Sequence, residues 1–306
     1  MARLVTGIIL DAKDNLTPAI HKAGRSVANF AAKGRKSLKG FQMALITINQ
    51  GTQLLRSAFN VTLGPVVRVL KNATKASLDF GKAMAEVSTL VDTQTTDMAA
   101  LNKATLGLAM QYGKAPIEQA KALYTSISAG AAAGAESISL MNAANMMAVG
   151  GVTQVETAVD GLTSVINAYG VGFQNAEAVS DKFFQAIKLG KTTAGELAAN
   201  IGKVTTGAAA AGVSMDEMFA AIAAGTKVGL NTAMVTVGIN AAITTLTKPT
   251  KDAAEVAKRL GLEFNTTRLR SIGLVGILKE VASKANLTDD DLAKLFGSVR
   301  AGRVVV

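Results

Sequence analysis

Apolar residues recur with the period of an α-helix over most of the chain. Ile117, Ala120, Tyr124 and Ile127 share one helical face after Pro116, and Val155, Val159, Leu162, Ile166 and Tyr169 repeat the pattern. An earlier helix is predicted from Val66 towards Val91, with Val67, Leu70, Ala73, Leu78, Phe80 and Met84 at mostly helical spacing. Leu4 to Leu10 is dense in Leu, Val and Ile and is compatible with one short strand. Thr17-Pro18 then sets a cap hydroxyl before a proline at the first helical position, which predicts a long basic helix reaching Asn60, and Gly64-Pro65 breaks it.

From Asp97 onward the punctuation is regular. Thr153 with Glu156, Thr193 with Glu196 and Ser214 with Glu217 read as capping boxes, each opening a helix. Gly113, Gly130, Gly170, Gly190, Gly207, Gly225 and Gly297 fall after periodic segments and read as helix stops. Gly113-Lys114 to Gly130-Ala-Ala-Ala-Gly134 is echoed by Gly190-Lys191 to Gly207-Ala-Ala-Ala-Ala-Gly212, an offset of 77 that becomes 78 at the last glycine. The echo predicts two related helix hairpins packed side by side. The expected fold is all-α: an array of short packed helices after a long basic N-terminal helix.

Composition narrows the chemistry. Cys and Trp are absent and His21 is the sole histidine of 306 residues, which excludes a disulfide framework, a zinc finger, a Cys nucleophile and a His-based triad. There are 54 Ala and 29 Gly against 4% aromatic residues, so the interior must be built from small side chains that let helices approach closely. Charge divides the chain. Residues 1–82 hold 13 Lys/Arg and 3 Asp, a net of +10, while residues 83–306 carry 19 of each sign. A basic arm, 1–82, therefore precedes a neutral Ala/Gly-rich body, 83–306. Arg25, Lys33, Arg35, Lys36 and Lys39 are the arm's candidate contacts with an acidic partner: nucleic acid, a membrane surface or an acidic protein lumen. The apolar run at the N-terminus is too short for a secretory leader.

Other hints of chemistry weaken on inspection. Leu189-Gly190-Lys191-Thr192-Thr193 imitates the end of a phosphate-binding loop, but Gln185 stands where glycine is needed and a helical pattern replaces the required strand. Asp289-Asp290-Asp291 follows Thr288 and reads as acids complementing a helix N-terminus. His21 has no nearby acid to orient it. Met141, Met146, Met147, Met215, Met218 and Met234 read as core filling. Val228 to Thr247 is uncharged and long enough to span a bilayer, yet Asn231, Asn240 and five Thr favour a buried helix. Val228, Val235, Val237, Ile239 and Ile243 are its candidate membrane contacts.

One resemblance joins these pieces. Phe80-Gly-Lys-Ala-Met-Ala-Glu-Val87, Gly113, Ala122-Leu123, Ser128-Ala129-Gly130, Gly207 to Ser214, Leu246-Thr-Lys-Pro-Thr250, Leu260-Gly261-Leu262 and Leu295-Phe296-Gly297 occur in order over residues 75–302. Together they resemble the core domain of phage tail tape measure proteins, and Asp11-Ala-Lys-Asp14 before the Thr-Pro helix is similar to how many of them begin. The resemblance implies a helical structural protein, made in the host cytoplasm and housed in the tail tube of the virion, with no catalytic role and no cofactor. It implies a ruler around which tube subunits polymerise and which leaves ahead of the DNA. The implied partners are further copies of itself as a trimer or hexamer, the tail tube protein, the baseplate hub, tail assembly chaperones, DNA without sequence preference and the host inner membrane. Members run on for hundreds of residues of extended helix, sometimes with a peptidoglycan-cleaving domain; ending at Val306, the chain is expected to be a fragment or to have a very short tail. The competing expectation is a pore-forming or membrane-remodelling helical protein.

Overall fold

The structure, a computed structural model, describes residues 64–284 and 287–296. The expected strand at Leu4–Leu10, the long helix from Thr17, His21 and the stop at Gly297 lie outside the described residues. The chain divides into two units, Met1–Thr74 and Lys75–Val306. The fold is all-α, with twelve α-helices, one 3-10 turn and no strand among the described residues. Helix α1 spans Gly64–Ser88, and its Ala83, Met84 and Val87 are buried. Then come α2 (Met98–Tyr112), α3 (Pro116–Ser128), α4 (Ala135–Gly150) and α5 (Val155–Tyr169). After the turn Phe173–Asn175 follow α6 (Ala176–Leu189), α7 (Ala194–Ala211), α8 (Met215–Lys227), α9 (Thr232–Thr247), α10 (Lys251–Arg259), α11 (Thr266–Ala282) and α12 (Asp289–Phe296).

Helices α2 to α9 repeat a single unit. Their starts advance by 37, 41 and 39 residues from Met98 through Ala135 and Ala176 to Met215, and by 39, 39 and 38 from Pro116 through Val155 and Ala194 to Thr232. Each unit is a helix hairpin, and hairpins stack so that every helix touches the helix two places on. One row is α2, α4, α6 and α8; the other is α3, α5, α7 and α9. The 77-residue echo in the sequence is thus two structural periods. Its two segments are not side by side, because α5 stands between α3 and α7 and packs on both.

Small residues set the spacing of the rows. A Cβ on Gly161 would lie 2.7 Å from Ala198 Cβ and 2.8 Å from its Cα, so α5 and α7 meet almost backbone to backbone. Around this seam Leu162, Ile166, Leu197 and Ile201 are fully buried, and each such side chain contributes roughly 1.5–3 kcal/mol. Met141, Met147 and Met218 are buried and Met146, Met215 and Met234 are half-buried, while Phe183 meets Phe219 edge-on with centroids 5.0 Å apart. The buried face of α3 is Gln119, Ala120, Ala122, Leu123 and Ser126. The expected face is turned by part of a turn, leaving Tyr124 exposed, because Gln119 goes inward to exchange two hydrogen bonds with Asn145 of α4 at 2.5 and 2.9 Å.

Helix ends follow the sequence in part. Thr193 Oγ accepts from Glu196 N and Ser214 Oγ from Glu217 N. The box at Thr153 does not form. There the helix begins one residue later at Val155, whose N–H donates to Glu118 Oε1, while Lys114 Nζ reaches Thr153 O. Gly207 and Gly225 are not stops but lie inside α7 and α8, where Asn240 and Val235 pack too closely for a side chain; α7 ends at Gly212. Gly190 ends α6 in an extended conformation.

Five helices of the array close alike, the N–H just beyond the end returning to a carbonyl five residues back: Lys114 to Ala109, Ala131 to Ser126, Thr153 to Ala148, Val171 to Ile166 and Val213 to Ala208. The residue before each of these donors has positive φ. Four times it is glycine, at Gly113, Gly130, Gly170 and Gly212, and after α4 it is Val152 at φ 51°. A β-branched residue there costs about 1–2 kcal/mol.

Candidate functional site

With helices filling the interior, the surfaces left to other molecules are the outer faces and the two ends of the helix rows. Arg25, Lys33, Arg35, Lys36 and Lys39 lie outside the described residues. The five candidate membrane contacts are not brought together. Val235, Ile239 and Ile243 are buried within α9, whereas Val228, in the turn before it, and Val237 are exposed. The buried side of α9 packs on α7 and α8. Among the described residues, no helix is long and apolar enough to cross a membrane.

The phosphate-loop imitation is a helix stop and a cap. Lys191 N–H donates to Thr226 Oγ at 3.2 Å and Thr192 Oγ lies 2.7 Å from Thr232 Oγ, so the turn is tied to α8 and α9. The Gly190 and Lys191 N–H groups are thus engaged within the array, by Ala186 O and Thr226 Oγ. The acids at 289–291 open α12, and they differ from one another. Asp290 pairs with Lys294 at 2.6 Å, whereas Asp291 is buried, accepts from Thr288 N and Oγ and pairs with Arg259 of α10. Burial pushes the Asp291 carboxyl up, but the Thr288 hydrogen bonds and the Arg259 guanidinium outweigh it and hold it below the usual carboxylate range. The group fastens the C-terminal helices. Among the described residues no cluster of His, Asp and Glu has the arrangement to hold a metal ion.

Two further polar joints serve packing. Glu217 of α8 accepts from Val275 N at 2.9 Å, where α11 is broken at Gly273 (φ 76°). The Tyr169 hydroxyl reaches Met218 Sδ at 3.6 Å; burial, and then the nearby Glu217 charge, push its pKa up to about 12. A shallow cleft of about 650 Å³ opens over α3 and α5, with Glu118, Lys121, Glu156 and Asp160 on its walls. Lys114 pairs with Glu118 at 3.7 Å beside it.

The row ends are more distinctive. Met110, Val149, Val152, Leu189 and Val228 are 79, 51, 92, 62 and 76% exposed, and all stand where α2, α4, α6 and α8 end. Lys188, Lys191 and Lys227 are exposed beside them. Where the same four helices begin stand Asp97, Glu136, Glu177 and Asp216. Sequence periodicity alone passes over these positions, because each is one apolar or charged residue in a turn. The signal that finds them is their recurrence at the hairpin period.

The chain is 27% identical over 247 residues to a probable tape measure protein of Clostridium phage phiCD119, an alignment covering 78% of this chain and 26% of that protein. The chain thus spans about a quarter of the length of the curated relative it matches. No solved structure matches it. Residues 102–299, which take in α3 to α12 and most of α2, match the family described as phage-related minor tail protein. The chain therefore belongs to the phage-related minor tail protein family and is a structural component of a phage tail.

Proposed function

We propose that the chain acts as a tail tape measure, occupying the tube lumen, setting tube length and leaving ahead of the DNA at ejection. The observation that carries this is the likeness to the phiCD119 protein over 78% of the chain. The physics agrees with a structural rather than a catalytic role, since a ruler needs a fixed length per residue and no reactive group. The basic arm, 1–82, and the neutral body, 83–306, divide the work. The arm's Arg25, Lys33, Arg35, Lys36 and Lys39 meet an acidic lumen, tail tube protein, baseplate hub or the incoming DNA, while the body self-associates as a trimer or hexamer. Tail assembly chaperones hold the chain before the tube closes on it. Contact with the host inner membrane belongs to an opened body, because Val235, Ile239 and Ile243 must first leave the core.

Duplicating one hairpin of about 39 residues in the phage gene tests the ruler, with tail lengths measured by electron microscopy. A folded extra hairpin adds about 10 Å and an extended helix about 58 Å. A uniform gain between those limits supports length setting, and unchanged tails overturn it. Reversing the five arm cations to Glu should cut infectious particles while leaving the body's melting curve intact, and a normal titre would reduce the arm to a solvated face. Liposome leakage by heat-opened, and not by folded, protein is the expected membrane outcome.

A further inference from the structure

Helix α11 is bent at Gly273, whose φ of 76° and ψ of 171° leave the helical region while the residues on both sides stay helical. Two ties hold the bend. Val275 N–H, at the start of the second half, donates to Glu217 Oε1 of α8 at 2.9 Å, so a carboxylate from another helix caps this half and faces the positive end of its dipole. Arg268 in the first half pairs with Glu280 in the second, 12 residues on. In a continuous helix these two would stand roughly 18 Å apart along the axis, beyond the reach of both side chains, so the pair exists only while α11 is bent.

The apolar pattern divides at the same glycine. Leu274, Ile277 and Val281 form one buried stripe, and Leu269 is buried as well, yet in a straight helix Leu269 would point about 140° away from Leu274. A straight α11 could not present all four to one face of the array. We propose that α11 is a two-state latch between the hairpin array and the C-terminal helices, bent and seated while Glu217 caps it and straight when that cap is lost.

The straight state is open to this sequence. Thr266–Ala282 holds no proline, and a continuous helix would restore the backbone hydrogen bonds that the break interrupts. A side chain at Gly273 would meet the Glu217 carboxylate, so the group that caps the second half also fills the space beside the bend. Glu217 is itself fixed at the start of α8, its own N–H donating to Ser214 Oγ. The first half of α11 buries Leu269 alone, with Ile272 half-buried, against three apolar side chains in the second. Straightening therefore lifts Thr266–Ile272 off the array, taking Arg270 from its place over Gly212, where α7 ends, and leaves the second half seated. The proposal deepens the ruler reading and rests on it for its use in the tail, where the latch is the first joint to yield as the body opens.

The test uses the full chain, which has no native cysteine, with spin labels at Thr267→Cys and Lys279→Cys, both exposed and on either side of the bend. With Glu217 in place the labels should couple strongly, and in Glu217→Ala they should move to the roughly 18 Å of a straight helix. Glu217→Gln should keep the short distance, because its amide oxygen still accepts from Val275 N–H. Stability gives a second readout. Gly273→Ala alone should lower the thermal midpoint, since alanine is strained at this φ and collides with Glu217. In the Glu217→Ala background the same substitution should raise both midpoint and helix content, because alanine favours a continuous helix over glycine. A hydrogen bond that only adds stability would not reverse that sign. The proposal is overturned by labels that stay close in Glu217→Ala, by a broad distance distribution with lost helix content, by a Gln variant that opens as fully as Ala, or by a Gly273→Ala change that destabilises both backgrounds. Unchanged tail length on duplicating a hairpin would instead retire the ruler and leave the latch standing.

Discussion

The hairpin array and the C-terminal helices share one apolar core, yet different contacts complete their joints. Between α5 and α7 the joint is steric: Gly161 meets Ala198 with no room for a side chain, and buried Leu and Ile close around it. Among α8 and α10 to α12 buried Val256, Leu274, Ile277, Leu295 and Phe296 are supplemented by polar ties: Asp291 with Thr288 and Arg259, Glu217 with the backbone of the broken α11, and, across that break, Arg268 with Glu280. The contrast teaches that a chain poor in aromatics obtains rigidity where small residues let backbones meet, and adds carboxylate ties to the apolar packing where the helices are short. Helix α10 has nine residues and α12 eight; each buries only three apolar side chains, Ala253, Val256 and Ala257 in one and Leu292, Leu295 and Phe296 in the other, and the Asp291 ties add to them.

The largest expected effect breaks the steric joint. Gly161→Val forces the branched side chain into Ala198 Cα, and the array should lose about 3 kcal/mol, read as a large fall in thermal midpoint. Next comes the polar joint. Asp291→Asn should cost about 2 kcal/mol at neutral pH through lost charged hydrogen bonds. Because the folded carboxyl is held below the ordinary value of 3.8, its stabilisation is present above that pH and fades as pH falls through the lower folded value. The gap between wild type and Asp291→Asn should therefore close in acid, while Gly161→Val should show no such convergence. A gap for Asp291→Asn that persists unchanged at pH 2 would contradict the assignment.

Smaller effects run the other way. Val152→Gly should stabilise by about 1 kcal/mol, since it relieves a left-handed β-branched residue at a site where nothing packs. Ser126→Ala should gain about 0.5 kcal/mol from helix propensity, its buried hydroxyl having no hydrogen-bond partner. Chemical denaturation resolves both, and a loss of stability in either would mean that the local geometry is not as described.

Much of this was legible beforehand, and the exceptions have physical causes. The α5 stripe of Val155, Val159, Leu162, Ile166 and Tyr169 is periodic and faces the core, with Tyr169 half-buried. Thr193 and Ser214 cap as written. Gly207 and Gly225 misled because a glycine chosen for close approach and a glycine chosen for a left-handed stop are the same letter; only the partners Asn240 and Val235 tell them apart. The face of α3 was misplaced because a buried Gln119–Asn145 pair reads as polar in one dimension. The hairpin period was half visible, as an echo at twice its length, since the intervening repeat carries Val152 where the first carries Gly113. The exposed edge went unseen because its residues signal only through that period.

The most direct test of the whole account is where the chain sits in the virion. Electron cryomicroscopy of intact particles, beside particles whose copy carries a bulky in-frame tag after Gly130, should place helical density and the tag on the axis of the tail tube. Density on the outer wall of the tail, or mature particles that lack the chain, would contradict it.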